Sequence, residues 1–237
     1  MQGKIRWLSV AFVEYKTNDN KTILFDPWTN SDGNDLCSFI NEDFDKVDLI
    51  LVSHDHHDHI GSASSLTKKT GALLGGSDET MKRLIEEEGL TPENIVNNGS
   101  GYIVGGGAVL PWVKIIATPA LHTSRTSTPI GTIIILNDGT TIYHAGDTSI
   151  TGEMEIFARL YPIDIAILPI FGIATMDYIQ ASEAVRLMKP KKVMPIHFDF
   201  CESPTIILQS FIELCKKQNP NVDIIKPELD KYFIINN

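Results

Sequence analysis

The sequence predicts an α/β protein with β-sheets in the middle and helices outside. Two observations predict it. The first half is dominated by short apolar, β-branched runs broken by turn residues, and from about residue 153 strand-like and helix-like segments alternate. A length of 237 residues supports one large core, and no internal repeat or Pro/Gly/Ser linker divides the chain. A single domain over 1–237 is therefore expected.

The elements follow in order. Lys4 to Tyr15 is apolar and β-branched, the turn-like Thr17-Asn18-Asp19-Asn20 follows, and Lys21 to Pro27 (KTILFDP) completes a hairpin. Asp48 to Val52 is a short apolar run that reads as a buried strand. Ser62 to Lys69 looks helical, with Ser62 as N-cap and Gly71 as the stop. Asp78 to Glu88 is a second helix, capped by Ser77 or Asp78 and ended by Gly89. Asn94 to Ala117 reads as short strands with Gly105-Gly106-Gly107 at a turn. Gly131 to Leu136 and Thr140 to His144 form a hairpin across Asn137-Asp138-Gly139, a strong turn signal. Then come a helix (Glu153–Leu160), a strand (Asp164–Leu168), a helix (Asp177–Met188), a strand (Lys192–Pro195) and a helix (Pro204–Lys217). Val222–Ile225 and Lys231–Ile235 are late strands.

Composition narrows the function. Lys and Arg number 20 against 30 Asp and Glu, a net charge of −10, which disfavours nucleic acid as a partner. No apolar run reaches the roughly 18 residues of a membrane span, and the opening MQGKIRWLSV lacks the pattern of a secretory leader. The cysteines Cys37, Cys201 and Cys215 are odd in number and widely spaced, so a reducing, cytoplasmic setting is expected. Cys201 lies four residues after His197, yet nothing marks it as a nucleophile, and an inert thiol is the simpler reading.

Four of the seven histidines fall within six residues, in Ser53-His54-Asp55-His56-His57-Asp58-His59-Ile60. An apolar strand delivers this segment and a helix follows it. Side chains two apart on an extended chain point the same way, so His54 and His56 can converge on one ion. A turn at Asp58 and His59 could aim both at a second ion, while His57 points away. Imidazole and carboxylate suit zinc and other borderline divalent metals. Four ligands do not fill two metal sites. His122 (in ATPALHTSR), Asp147 (in YHAGDTS) and His197 (in VMPIHFD) each lie just past a strand end and supply the rest. One ion would then take His54, His56 and His122, the other Asp58, His59 and His197, with Asp147 as a bridge.

These residues resemble the signature of the metallo-β-lactamase superfamily, H-x-H-x-D-H followed by His, Asp and His, over most of the chain. Within that superfamily YHAGDT, DIAILPI, TMDYIQASEAV and KPKKVMPIHF resemble the small metal-dependent hydrolases near the ascorbate-6-phosphate lactonases. The Gly-His-Ser/Ala segment common in those relatives is absent; here the first strand reads WLSVAFVEY. The resemblance implies an α/β four-layer αββα sandwich with two divalent ions at one edge, zinc first and manganese, nickel or iron as alternatives. It also implies a hydrolase of a small ester, lactone or phosphodiester. An RNA-processing nuclease of the same fold is the runner-up, set back by the acidic balance. A redox di-iron protein is set back by His56, where such relatives commonly carry Glu. A non-catalytic metal-binding protein remains an alternative that an activity measurement decides.

Two divalent ions about 3.5–4 Å apart can share a water and bring its pKa toward neutrality. Asp58 is then the candidate catalytic residue, orienting that water and passing a proton. Asp26, before Pro27, either supports the metal loop from behind or starts a turn. His144 is either such a support or a buried strand histidine. Ser124 and Arg125, just past His122, either bind an anionic group of a small-molecule substrate or lie on the surface.

Overall fold

The computed structural model describes residues 2–200 and 202–235. Its strands are β1 (Gly3–Ser9), β2 (Phe12–Lys16), β3 (Thr22–Phe25), β4 (Leu49–Leu51), β5 (Leu73–Gly75), β6 (Gly107–Leu110), β7 (Val113–Pro119), β8 (Ile130–Leu136), β9 (Thr141–His144), β10 (Ile165–Pro169), β11 (Lys192–Ile196), β12 (Asp223–Ile224) and β13 (Phe233–Ile235). Its helices are α1 (His57–Ile60), α2 (Ala63–Thr70), α3 (Asp78–Glu88), α4 (Glu153–Leu160), α5 (Tyr178–Met188) and α6 (Pro204–Gln218). The strands form two sheets, ordered β13-β1-β2-β3-β4-β5 and β12-β11-β10-β9-β8-β7-β6.

Burial explains the layering. In β3 and β4, Ile23, Phe25, Leu49 and Leu51 join the core that includes Ile115, Ile134 and Ile167 of the other sheet. Their alternating neighbours Leu24 and Ile50 pack instead with Leu66 of α2 and with Met81 and Leu84 of α3. Because side chains alternate across a strand, a continuous apolar run such as Leu49-Ile50-Leu51 needs cover on both faces. On the second sheet the same core takes in Ala181 and Val185 of α5 and Phe211 of α6. The result is the four-layer αββα sandwich.

Most predicted elements lie within a residue or two of those observed. The run Lys4 to Tyr15, read as one strand, is two: β1 and β2 pair antiparallel across a reversal at Val10 and Ala11. Val10 sits at φ 45, a region that β-branched residues rarely occupy. No Gly, Asn or Asp marks that turn. Long-range bonds hold it instead: Val10 N–H donates to Asp199 Oδ2 at 2.8 Å, and Val10 O accepts from His197 N at 2.9 Å and from Trp7 Nε1 at 3.0 Å. Ser62 and Ser77 occupy the N-cap positions without capping through their side chains. Ser62 Oγ donates to Asp32, and Ser77 Oγ to the Thr128 carbonyl.

Strand direction places the site. β9, β10 and β11 are parallel, β8 is antiparallel to β9, and β7 is antiparallel to β8. The carboxyl ends of β7, β9 and β11 therefore leave the same edge of the second sheet, carrying the segments with His122, Asp147 and His197. Among the described residues no helix is long and apolar enough to cross a membrane.

Candidate metal centre

Beyond β4 the chain is still extended, so His54 and His56 share a side and Asp55 points the other way. One helical turn, α1, then swings Asp58 and His59 inward, which an extended chain would have sent apart. His57 leaves the cluster: its Nε2 donates to the Asp32 carbonyl at 3.0 Å and its ring meets Trp28 edge-on at 5.4 Å.

The seven candidate ligands come together in overlapping groups. His54, His56 and His122 form one; Asp58, His59 and His197 form another; His54, His59 and Asp147 link them. Asp147 Oδ2 lies 3.3 Å from His59 Nε2, 3.4 Å from His197 Nε2 and 3.6 Å from His122 Nε2. Asp58 Oδ2 lies 3.4 Å from His197 Nε2 and 3.5 Å from His59 Nε2. Asp147 thus reaches both clusters, as the position of a bridge requires.

Hydrogen bonding behind the rings decides which nitrogen faces the centre. His59 Nδ1 is 2.8 Å from Asp26 Oδ2, and an ionised carboxylate only accepts, so the proton sits on Nδ1 and Nε2 offers a lone pair. His122 Nδ1 donates to the Ala174 carbonyl at 3.0 Å, which frees its Nε2 in the same way. Ser53 Oγ spends its one proton on Asp26 Oδ2 at 2.7 Å and so accepts from His54 Nδ1 at 3.0 Å. His54 Nε2 and His122 Nε2 then both face His56 Nδ1, at 2.9 and 3.2 Å. A single proton on His56 can serve only one of them. His59 Nε2, Asp147 Oδ1 and both ring nitrogens of His197 are buried with no hydrogen-bond partner. Buried lone pairs of this kind need a partner that accepts them, and a divalent cation is one. The donor set therefore fits metal.

The electrostatics agree. Burial and the neighbouring imidazoles hold His54 well below the usual histidine range. Burial also lowers His122, against the pull of Asp147. Burial would raise Asp147 and Asp58, but His59 and His197 hold both carboxyls below their ordinary values. Burial would lower His197, but Asp147 and Asp58 carry it up to about 9. His59, fully buried between Asp147 and Asp26, is likewise raised. The carboxyls of Asp58 and Asp147 stay ionised, and His59 and His197 answer their charge by taking up protons, which a divalent cation would displace.

Asp26 and His144 both stand behind this centre. Asp26 is fully buried and accepts from Ser53 N at 2.7 Å, besides Ser53 Oγ and His59. His144 accepts the Gly146 N–H on Nδ1 at 3.2 Å and donates from Nε2 to the Ala11 carbonyl at 3.2 Å, fixing the turn that presents Asp147. Gly146, at φ 60, has no room for a side chain, since a Cβ would lie 2.5 Å from Ser53 Cβ.

Ser124 and Arg125 pair with acidic side chains outside the cluster. The Ser124 hydroxyl donates to Asp55 Oδ1 at 2.5 Å, and the exposed Arg125 side chain lies 3.7 Å from Glu87. Asp55, which sequence reasoning passed over, also accepts from Arg125 N at 2.7 Å and Thr126 Oγ1 at 2.6 Å. It clasps the loop that carries His122. The one available signal was the alternation that turns Asp55 away from His54 and His56. Cys37 and Cys215 are buried thiols raised by burial, and Cys201 lies outside the described residues.

A family model described as a beta-lactamase superfamily domain matches residues 21–198. A protein named metal-dependent hydrolase from Nitratidesulfovibrio vulgaris (strain DP4) is 42% identical over 198 residues, covering 84% of this chain and 81% of its own. One of the same name from Caldivirga maquilingensis is 38% identical over 198 residues, covering 83% and 82%. Among solved structures, Igni18, a metallo hydrolase from the hyperthermophilic archaeon Ignicoccus hospitalis, matches with a TM-score of 0.88 at 29% identity over 100% of both chains.

Proposed function

This chain belongs to the metallo-β-lactamase superfamily, and on that premise we propose that it is a metal-dependent hydrolase of a small-molecule ester, lactone or phosphodiester. The observation that carries the reading is the inward convergence of seven side chains from four separate segments, with buried lone pairs that no protein donor satisfies.

His54, His56 and His122 would hold one divalent ion, Asp58, His59 and His197 a second, with Asp147 shared; zinc suits this imidazole and carboxylate set best. Bound there, the pair supplies Lewis-acid polarisation of the substrate oxygen and a water acidic enough to ionise near neutral pH. The protein's share is positioning. Asp26, the Ser53 hydroxyl and the Ala174 carbonyl fix the tautomers of His59, His54 and His122, so each presents its Nε2. Asp58 has a further role. Its side chain is 26% exposed, against 5% for Asp147 and 1% for Asp26. It is the carboxylate of the three that solvent reaches, and His197 and His59 hold it ionised, the form that accepts a hydrogen bond from water.

The test is chelation and reloading. Protein stripped of metal should lose hydrolysis of a chromogenic ester, lactone and phosphodiester panel and regain it with zinc. Metal that binds and is never needed for turnover would favour a storage or sensing role. Turnover that survives full stripping would refute the proposal.

A further inference from the structure

The loop after β10 crosses both halves of the centre. Phe171 stacks on the His197 ring at 5.5 Å with an interplanar angle of 26°, and three residues later the Ala174 carbonyl holds His122. Between them Ile173 stands 85% exposed. Gly172, at φ 83, turns the chain here, and its N–H donates to the Met176 carbonyl at 3.0 Å. The exposed Ile173 thus sits on a loop bound at several points, two of them candidate ligands.

Phe200, 42% exposed, meets His197 edge-on at 5.6 Å, and Trp28 lies 6.1 Å from Phe200. Trp28 is held in place. Its Nε1 donates to the Asp32 carbonyl at 2.9 Å, and its ring lies so close to Gly61 that a Cβ there would be 2.5 Å from Trp28 Cδ1. Phe171 and Phe200 border His197, Trp28 continues the row from Phe200, and Ile173 follows on the exposed loop after Phe171, so an apolar rim lies on the side of His197, which Asp58 also faces.

On the opposite side, among the described residues, the two arginines near the His122 loop are already paired. Arg125 faces Glu87 at 3.7 Å, and Arg83 faces Asp55 at 3.5 Å and Glu87 at 3.3 Å. Resting on the hydrolase reading above, we infer that the substrate is a neutral ester or lactone whose apolar, aromatic-sized group lies against Phe171, Ile173, Phe200 and Trp28. A buried apolar contact discriminates between substrates by area, whereas the chain adds no unpaired arginine on that side to favour a diester beyond what the metals would supply.

The experiment uses the full chain reloaded with zinc. Hydrolysis of methyl acetate, methyl 3-phenylpropanoate and diphenyl phosphate is followed at constant pH. Titration calorimetry with 3-phenylpropanamide, a neutral amide, reads binding alone. The phenylpropanoate should exceed the acetate at least about tenfold in kcat/KM. That ratio should collapse in the Ile173→Ser/Phe200→Ala double variant, and amide binding should weaken by roughly the same factor. Diphenyl phosphate, equally aromatic but anionic, should be the poor substrate. Esters cleaved without preference, or an unchanged ratio in the variant, overturn the inference and leave the hydrolase reading standing. So does a diester that outperforms both esters, or light scattering that shows the rim covered in a dimer which the variant dissolves. If neither the esters nor the diester is cleaved, the hydrolase reading fails and the amide decides: variant-sensitive binding retains the apolar subsite, and no binding overturns it.

Discussion

The two halves of the centre are supported in opposite ways. The half made by Asp58, His59, His197 and Asp147 rests on the interior, where fully buried Asp26 ties His59 to the Ser53 backbone and hydroxyl, and His144 fixes the turn before Asp147. The half made by His54, His56 and His122 is completed from the rim. There Asp55 gathers Ser124, Arg125 and Thr126, Thr80 holds Thr126 and Ser127, and Ala174 steadies His122. One half inherits its geometry from the packed sheets; the other depends on a hydroxyl-rich loop. The first should resist perturbation as a unit, and the second should loosen locally.

Asp147 belongs to both, so its loss should be the largest effect. Asp147→Ala should remove metal from both halves and take hydrolysis below detection, with the fold retained by circular dichroism; elemental analysis at full occupancy would contradict the bridging position. Asp26→Asn comes next. It keeps the shape but cannot accept from three donors, so metal affinity should fall about 10–100-fold, with His59's half affected first. Equal losses at the two halves, read from stepwise metal titration, would show that the interior does not separate them.

Asp55→Asn should act on the other half. Losing charge-assisted bonds to the loop should cost about 1–3 kcal/mol of stability. Hydrogen exchange should quicken at 122–128 while β9 and β11 stay protected. Uniform exchange across the chain would remove the distinction between rim and interior. The smallest effect at neutral pH lies in the foundations. Burial pushes the Tyr143 phenol, on the strand that carries His144, up to about 12. A folded value above the unfolded one, roughly 10, gives stability that is complete below pH 10 and lost as pH rises toward 12. Phenolate absorbance and loss of fold should therefore coincide on the alkaline side, and Tyr143→Phe should move the transition upward. Ionisation near pH 10 in a still-folded protein would contradict the burial.

The same contrast explains what the sequence revealed. The candidate ligands were legible because His54, His56, Asp58 and His59 crowd one strand end, and because His122, Asp147 and His197 follow three further strands. Local pattern and strand termini carry that information. Asp26 was ambiguous because an Asp before Pro serves turns as readily as tautomers, and only the approach of β4 to β3 separates the two. The Val10 reversal was invisible, since its bonds to Asp199 and His197 span most of the chain. Asp55 was missed for a similar reason: a Thr/Ser-rich loop looks solvated until its acceptor is found 69 residues away.

The central claim is that the converging lone pairs exist to hold divalent ions. Calorimetric titration of chelator-stripped protein with zinc tests it most directly. The account predicts saturable binding of two ions per chain, reduced to one when His122 is replaced by Ala. An absence of saturable binding, or a stoichiometry indifferent to that replacement, would contradict it.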